Sequence, residues 1–101
     1  MRSTPAVLVE LADSLGMSPG GHGRRSRDGN FSRREVARLL RIDQVLNVTQ
    51  RLFGSRVRGL QWLTHPNRAL RFDTPLSQLE TAAGTERVNA LLERIDGGAF
   101  P

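Results

Sequence analysis

Two histidines, ten carboxylates and fifteen arginines are the groups of this 101-residue chain that can do chemistry, and their spacing suits recognition better than bond breaking. His22 lies in a glycine-rich stretch and His65 precedes Pro66, and neither has a second histidine or a carboxylate at metal-ligand spacing. The chain has no cysteine, so it has no thiolate nucleophile, disulfide framework or Cys-based zinc site. A nucleophilic serine needs a base that is itself held by an acid, and no such set is nominated. Glu86, Glu93 and Asp96 fall on the polar side of a helical pattern, as a solvated face does. The Gly20-Gly21-His22-Gly23 run lacks the G-x-x-x-x-G-K-[ST] frame and a preceding strand. The sequence therefore assigns no catalytic residue, metal ligand or cofactor, and reads as a protein that is not an enzyme.

Every cation other than histidine is an arginine, a residue type that favours bidentate contact with phosphate or carboxylate, although genomic bias also removes lysine. Arg24, Arg25 and Arg27 place three guanidinium groups within four residues of a glycine-rich loop, where they can reach phosphates or simply be solvated. Residues 51–71 carry five arginines and no acid, whereas 72–101 carry two arginines against five acids. The front and middle suit nucleic acid or an acidic protein face, and the back suits neither. No apolar run approaches the roughly 18–20 residues that span a bilayer. No signal-peptide pattern is seen, so the expected setting is cytoplasmic.

The elements that must position these groups are helical throughout, with no strand pattern. Residues 5–16 space Val7, Leu8, Leu11 and Leu15 as a short amphipathic helix, with Pro5 at its first position and Gly16 as its stop. Residues 17–31 hold four glycines and a proline and read as a loop. Ser32 and Glu35 have capping-box spacing and open a long helix to Phe53, about 33 Å of spine. It is apolar on most sides by its second half, so residues 42–53 must be covered by the chain's own helices or by a second copy. Gly54 ends it, Ser55 caps the next helix, and Val57, Leu60 and Leu63 form that helix's inner stripe with Trp62 toward a flank. Thr74-Pro75 starts a short helix carrying Leu76 and Leu79. Gly84-Thr85 restarts the chain into a last helix with Val88, Leu91, Leu92 and Ile95 inward, closed by Gly97-Gly98.

The order LFG, WL, PN, AL and TPL, followed by the final helix, joins Leu52-Phe53-Gly54, Trp62-Leu63, Pro66-Asn67, Ala69-Leu70, Thr74-Pro75-Leu76, Leu79, Thr81, Gly84, Val88, Leu91-Leu92, Ile95 and Gly98. Taken together it resembles the toxin-binding domain of Xre/MbcA/ParS-type antitoxins, over residues 32–101. The resemblance implies an all-α, compact multi-helix domain around one long central helix. It implies an antitoxin of a type II toxin-antitoxin system, whose partner is usually a RES-type toxin that consumes NAD, or a related ADP-ribosyltransferase-like toxin, and whose C-terminal end enters or covers the toxin's NAD cleft. Carried onto this chain, that role falls on Arg94, Ile95, Asp96, Gly97, Gly98, Ala99, Phe100 and Pro101. Paired glycines give a thin backbone and Phe100 a terminal anchor, although the same residues also fit a helix cap and a frayed end.

Two departures from the family pattern stand out. Arg71-Phe72-Asp73 replaces the glycine that often follows the AL pair. Residues 1–31 read as a truncated or degenerate helix-turn-helix-like segment, in which Leu11-Ala12 and Leu15-Gly16-Met17-Ser18 match the motif's middle and PGGHGRRSRDG replaces its recognition helix. Operator DNA is the second partner the resemblance implies. The alternative to toxin neutralisation is a small arginine-rich transcriptional autoregulator.

Overall fold

The computed structural model describes residues 5–17 and 31–98. Among these residues the chain is all-α: α1 (Ala6–Ser14), α2 (Arg33–Phe53), α3 (Arg56–Thr64), a 3-10 turn (Arg68–Leu70), α4 (Pro75–Gln78) and α5 (Ala82–Asp96). It forms two compact units, Met1–Asp43 and Gln44–Pro101, which divide within α2.

In the first unit Pro5 is the N-cap of α1, one position earlier than expected, and Gly16 has a positive φ just beyond the helix. Leu8, Leu11 and Ala12 are buried while Val7 is exposed, so the buried face of α1 is narrower than its apolar residues suggest. The capping box opens α2 as its spacing predicts: the Ser32 backbone N–H donates to Glu35 Oε1 at 2.7 Å, and the Glu35 N–H donates to Ser32 Oγ at 3.1 Å. Leu39 and Ile42 are fully buried in this first half of α2, and Leu40 is exposed.

The second unit holds the longer sequence of elements. Val45, Leu46 and Thr49 of α2 are buried, and the Thr49 hydroxyl donates to the Leu46 carbonyl at 3.0 Å, which removes the penalty of burying it. Gly54, at φ +95°, ends α2 in a conformation open to glycine and strained for other residues. Ser55 then caps α3 by accepting from the Arg58 N–H. The buried side of α3 is made by Gly59 and Leu63, with Leu60 half-buried, and Val57 is exposed against expectation. The reason is phase: a Cβ at Gly59 would stand 2.7 Å from Thr49 Oγ1 and 3.1 Å from Leu46 Cδ1, so α3 meets α2 backbone-first at Gly59. That contact turns Val57 outward.

Thr74 caps α4 with Pro75 at its first position, and Leu79 is buried directly after it. The last helix begins earlier than Gly84-Thr85. Its N-cap is Thr81, whose hydroxyl accepts from the Gly84 N–H at 2.9 Å, and Gly84 lies within the first turn, buried. Val88, Leu91 and Leu92 point inward as predicted, each fully buried apolar side chain contributing about 1.5–3 kcal/mol, and Ile95 is half-buried.

Candidate functional site

Three surfaces of the second unit could meet a partner, and the first is the end of α5. Two bonds close this helix, from the Gly97 N–H to the Glu93 carbonyl (2.9 Å) and from the Gly98 N–H to the Ile95 carbonyl (3.1 Å), with Gly98 at φ +78°. Arg94, Asp96, Gly97 and Gly98 are exposed. Arg94 and Asp96 are two positions apart and so leave the helix on different sides. Among the described residues neither side chain has a hydrogen bond or an ion pair. Ala99, Phe100 and Pro101 lie outside the described residues.

The second surface is a shallow groove of about 570 Å³ lined by Phe53, Arg58, Gln61, Trp62 and His65. The Phe53 and Trp62 rings lie 5.7 Å apart at 33°, a tilted contact that fixes the groove's apolar floor. His65 Nδ1 donates to the Gln61 carbonyl at 2.6 Å, because a carbonyl only accepts. This bond places a proton on Nδ1 and orients the ring. Arg58 in its lining is exposed, and no carboxylate lies between residues 51 and 71. Arg58 and Trp62 are four residues apart on α3, a spacing visible in the sequence, whereas the packing of α3 on α2 brings Phe53 to Trp62.

The third surface is the turn after the 3-10 segment. Arg71 and Phe72 take φ values of +56° and +67°, two consecutive non-glycine residues in the left-handed region. This costs about 1–2 kcal/mol per residue and persists only where the surroundings over-determine it. Here they do. The Asn67 carbonyl accepts from the Leu70 N–H and the Phe72 N–H, each at 2.9 Å, the Asn67 N–H donates to the Asp73 carbonyl at 3.0 Å, and Asn67 Oδ1 accepts from the Ala69 N–H at 2.9 Å. A side-chain relay ties the turn to α5: Arg87 Nε donates to Gln78 Oε1 at 3.0 Å, and Gln78 Nε2 donates to Asp73 Oδ2 at 3.1 Å. Phe72 is left 68% exposed.

Arg24, Arg25 and Arg27, the predicted phosphate contacts, lie outside the described residues. Among the described residues no group of His, Asp or Glu is placed to hold a metal ion. No helix among them is long and apolar enough to cross a membrane.

An all-helical unit that offers a basic aromatic groove, a rigid exposed turn and an open helix end belongs to the class of macromolecule-binding modules. Comparison with known proteins makes that class specific. Residues 49–98 match the Xre/MbcA/ParS C-terminal toxin-binding domain of antitoxins. The chain is similar to Antitoxin Xre of Yersinia enterocolitica, 33% identical over 78 residues that cover 76% of this chain and 53% of that protein. It is also similar to Antitoxin Xre of Photorhabdus laumondii, 36% identical over 76 residues covering 74% and 51% of the two. The chain belongs to the Xre/MbcA/ParS antitoxin family, and it spans about half the length of the curated relatives it matches.

Proposed function

We propose that this chain is an antitoxin that neutralises a RES-type, NAD-degrading toxin by laying its C-terminal residues, Arg94 to Pro101, across the toxin's NAD site. The observation that carries the reading is the end of α5. The helix is anchored by Val88, Leu91 and Leu92, and its last turn leaves Arg94, Asp96, Gly97 and Gly98 exposed, with neither charged side chain paired among the described residues. A seated helix with an uncommitted end can carry a short segment into a cleft without first giving up internal contacts. Action of this kind is steric and needs no catalytic group of its own. Residues 32–101 then form the toxin-binding part, and residues 1–31 the helix-turn-helix-like segment whose Arg24, Arg25 and Arg27 would contact operator phosphates.

The test is co-expression with the protein encoded by the adjacent reading frame. The full chain is expected to restore growth and cellular NAD, and a chain lacking Gly98–Pro101 is expected to fold with the same unfolding midpoint yet restore neither. Full protection by the shortened chain would overturn the tail mechanism. A neighbouring toxin that leaves NAD unchanged would overturn the RES assignment.

A further inference from the structure

We propose that Phe72 is a second anchor for the toxin, a ring held out on the Asn67–Asp73 turn to enter an apolar pocket with an acidic rim. The proposal rests on the toxin-binding reading, which supplies the partner, and adds a contact distinct from the C-terminal tail.

Three observations carry it. At 68% exposure Phe72 is the most exposed large hydrophobic side chain among the described residues, whereas Phe53 in the same unit is half-buried against Trp62. An aromatic side chain left in water is a contact still to be made, and aromatic and arginine residues dominate the energetics of protein interfaces.

The ring is also fixed before any partner arrives. Four hydrogen bonds centred on Asn67 hold the turn, and the Arg87–Gln78–Asp73 relay ties it to α5. A left-handed Arg71-Phe72 pair kept in place this firmly has little loop freedom left to lose on binding, which is the main recurring cost of using a loop as a contact.

The charge beside the ring is positive in sum, two arginines against one carboxylate. Arg68 and Arg71 are exposed and their guanidinium groups have no partner among the described residues, while the nearby Asp73 carboxylate is engaged by Gln78. An exposed ring on a turn that also carries two exposed arginines, Arg68 and Arg71, is complementary to an apolar recess bordered by carboxylates, with the charges speeding encounter and the ring setting residence time.

The experiment uses the full chain and the protein encoded by the adjacent reading frame, the latter inactivated by substitution so that it can be purified. Binding is followed by biolayer interferometry at two salt concentrations. Phe72→Ala is expected to weaken binding at least about tenfold, mainly through faster dissociation, with the unfolding midpoint moved by less than about 2 °C because the lost ring was solvated. Phe72→Leu is expected to keep most of the affinity. Arg71→Glu is expected to slow association and to reduce its sensitivity to salt.

Binding by Phe72→Ala within about twofold of the parent chain would overturn the proposal while leaving the toxin-binding reading intact. A parent chain that binds no partner would overturn both. Sedimentation showing that Phe72→Ala dissociates a homodimer, with toxin affinity unchanged, would assign the ring to a second copy of the chain. A salt-dependent gel shift on duplex DNA that is lost in Arg71→Glu, with toxin affinity unchanged in both variants, would assign the turn to nucleic acid.

Discussion

Substituting Gly84 by alanine should destabilise this protein, although the same change in a typical helix stabilises it. Alanine in a helix interior is favoured over glycine by about 1 kcal/mol. At Gly84 the added Cβ would fall on the Gln78 carbonyl oxygen, with the carbonyl carbon 2.8 Å away and Thr81 Oγ1 at 3.0 Å. These are backbone atoms at the end of α4 and the capping hydroxyl of α5, so no flexible side chain can yield. Overpacking of this kind costs about 1–3 kcal/mol. Moving α5 away also stretches the 2.9 Å bond from the Gly84 N–H to Thr81, a cap worth about 1 kcal/mol. The net expectation is about 1–3 kcal/mol of lost stability, or a midpoint about 5–20 °C lower for a domain of this size. Thermal unfolding followed by far-ultraviolet circular dichroism reads the midpoint, and urea titration with an unchanged slope assigns the loss to the native state. A midpoint equal to or above that of the parent chain would show that α4 and α5 do not meet as closely as described. The reasoning would then fail.

Three further outcomes follow from the same structure. Trp62→Ala removes half of the Phe53 contact and should cost about 1.5–3 kcal/mol in urea unfolding, and a loss below about 0.5 kcal/mol would mean that the aromatic floor of the groove is not packed. Arg71→Gly relieves one left-handed residue and should raise stability by about 0.5–1 kcal/mol after the added flexibility of the unfolded chain is subtracted, so a lower midpoint would contradict the observed φ. Ser32→Ala breaks the capping box and should cost about 1 kcal/mol, with amide hydrogen exchange accelerating first in residues 33–36.

The parts of the fold legible in the sequence were those decided within one helical turn. Ser32 with Glu35, and Thr74 with Pro75, are local hydrogen-bonding arrangements, and both appear where their spacing places them. The stripe of Val88, Leu91 and Leu92 needs only helical periodicity. What sequence reading missed depends on contacts between elements. Val57 looked like core because it is apolar and in phase with Leu60, but the approach of Gly59 to Thr49 rotates it into solvent. Gly84 looked like a chain breaker, whereas its small size serves a close approach to Gln78, and Thr81 is the true start of the helix. The candidate site divides along the same line. Gly97 and Gly98 close α5 where the paired glycines place its end, while the groove of Phe53, Trp62 and His65 is assembled only when α3 docks on α2. The Arg71-Phe72-Asp73 segment showed as a departure from the family pattern, and its left-handed geometry is enforced by Asn67, Gln78 and Arg87.

The positive φ of Gly98 has a stereochemical consequence. Among the described residues a Cβ at this position would touch nothing within 4 Å, so the penalty they set on a substitution there is the chirality of the new residue. The mirror-image residue, D-alanine, is at ease where φ is positive, whereas L-alanine is strained there. A chain completed by peptide ligation with D-alanine at position 98 should therefore keep the geometry of the step out of α5, and its L-counterpart should resist it. Two proteins of identical composition and formal charge would then differ only in the handedness of one carbon atom at the base of the C-terminal segment.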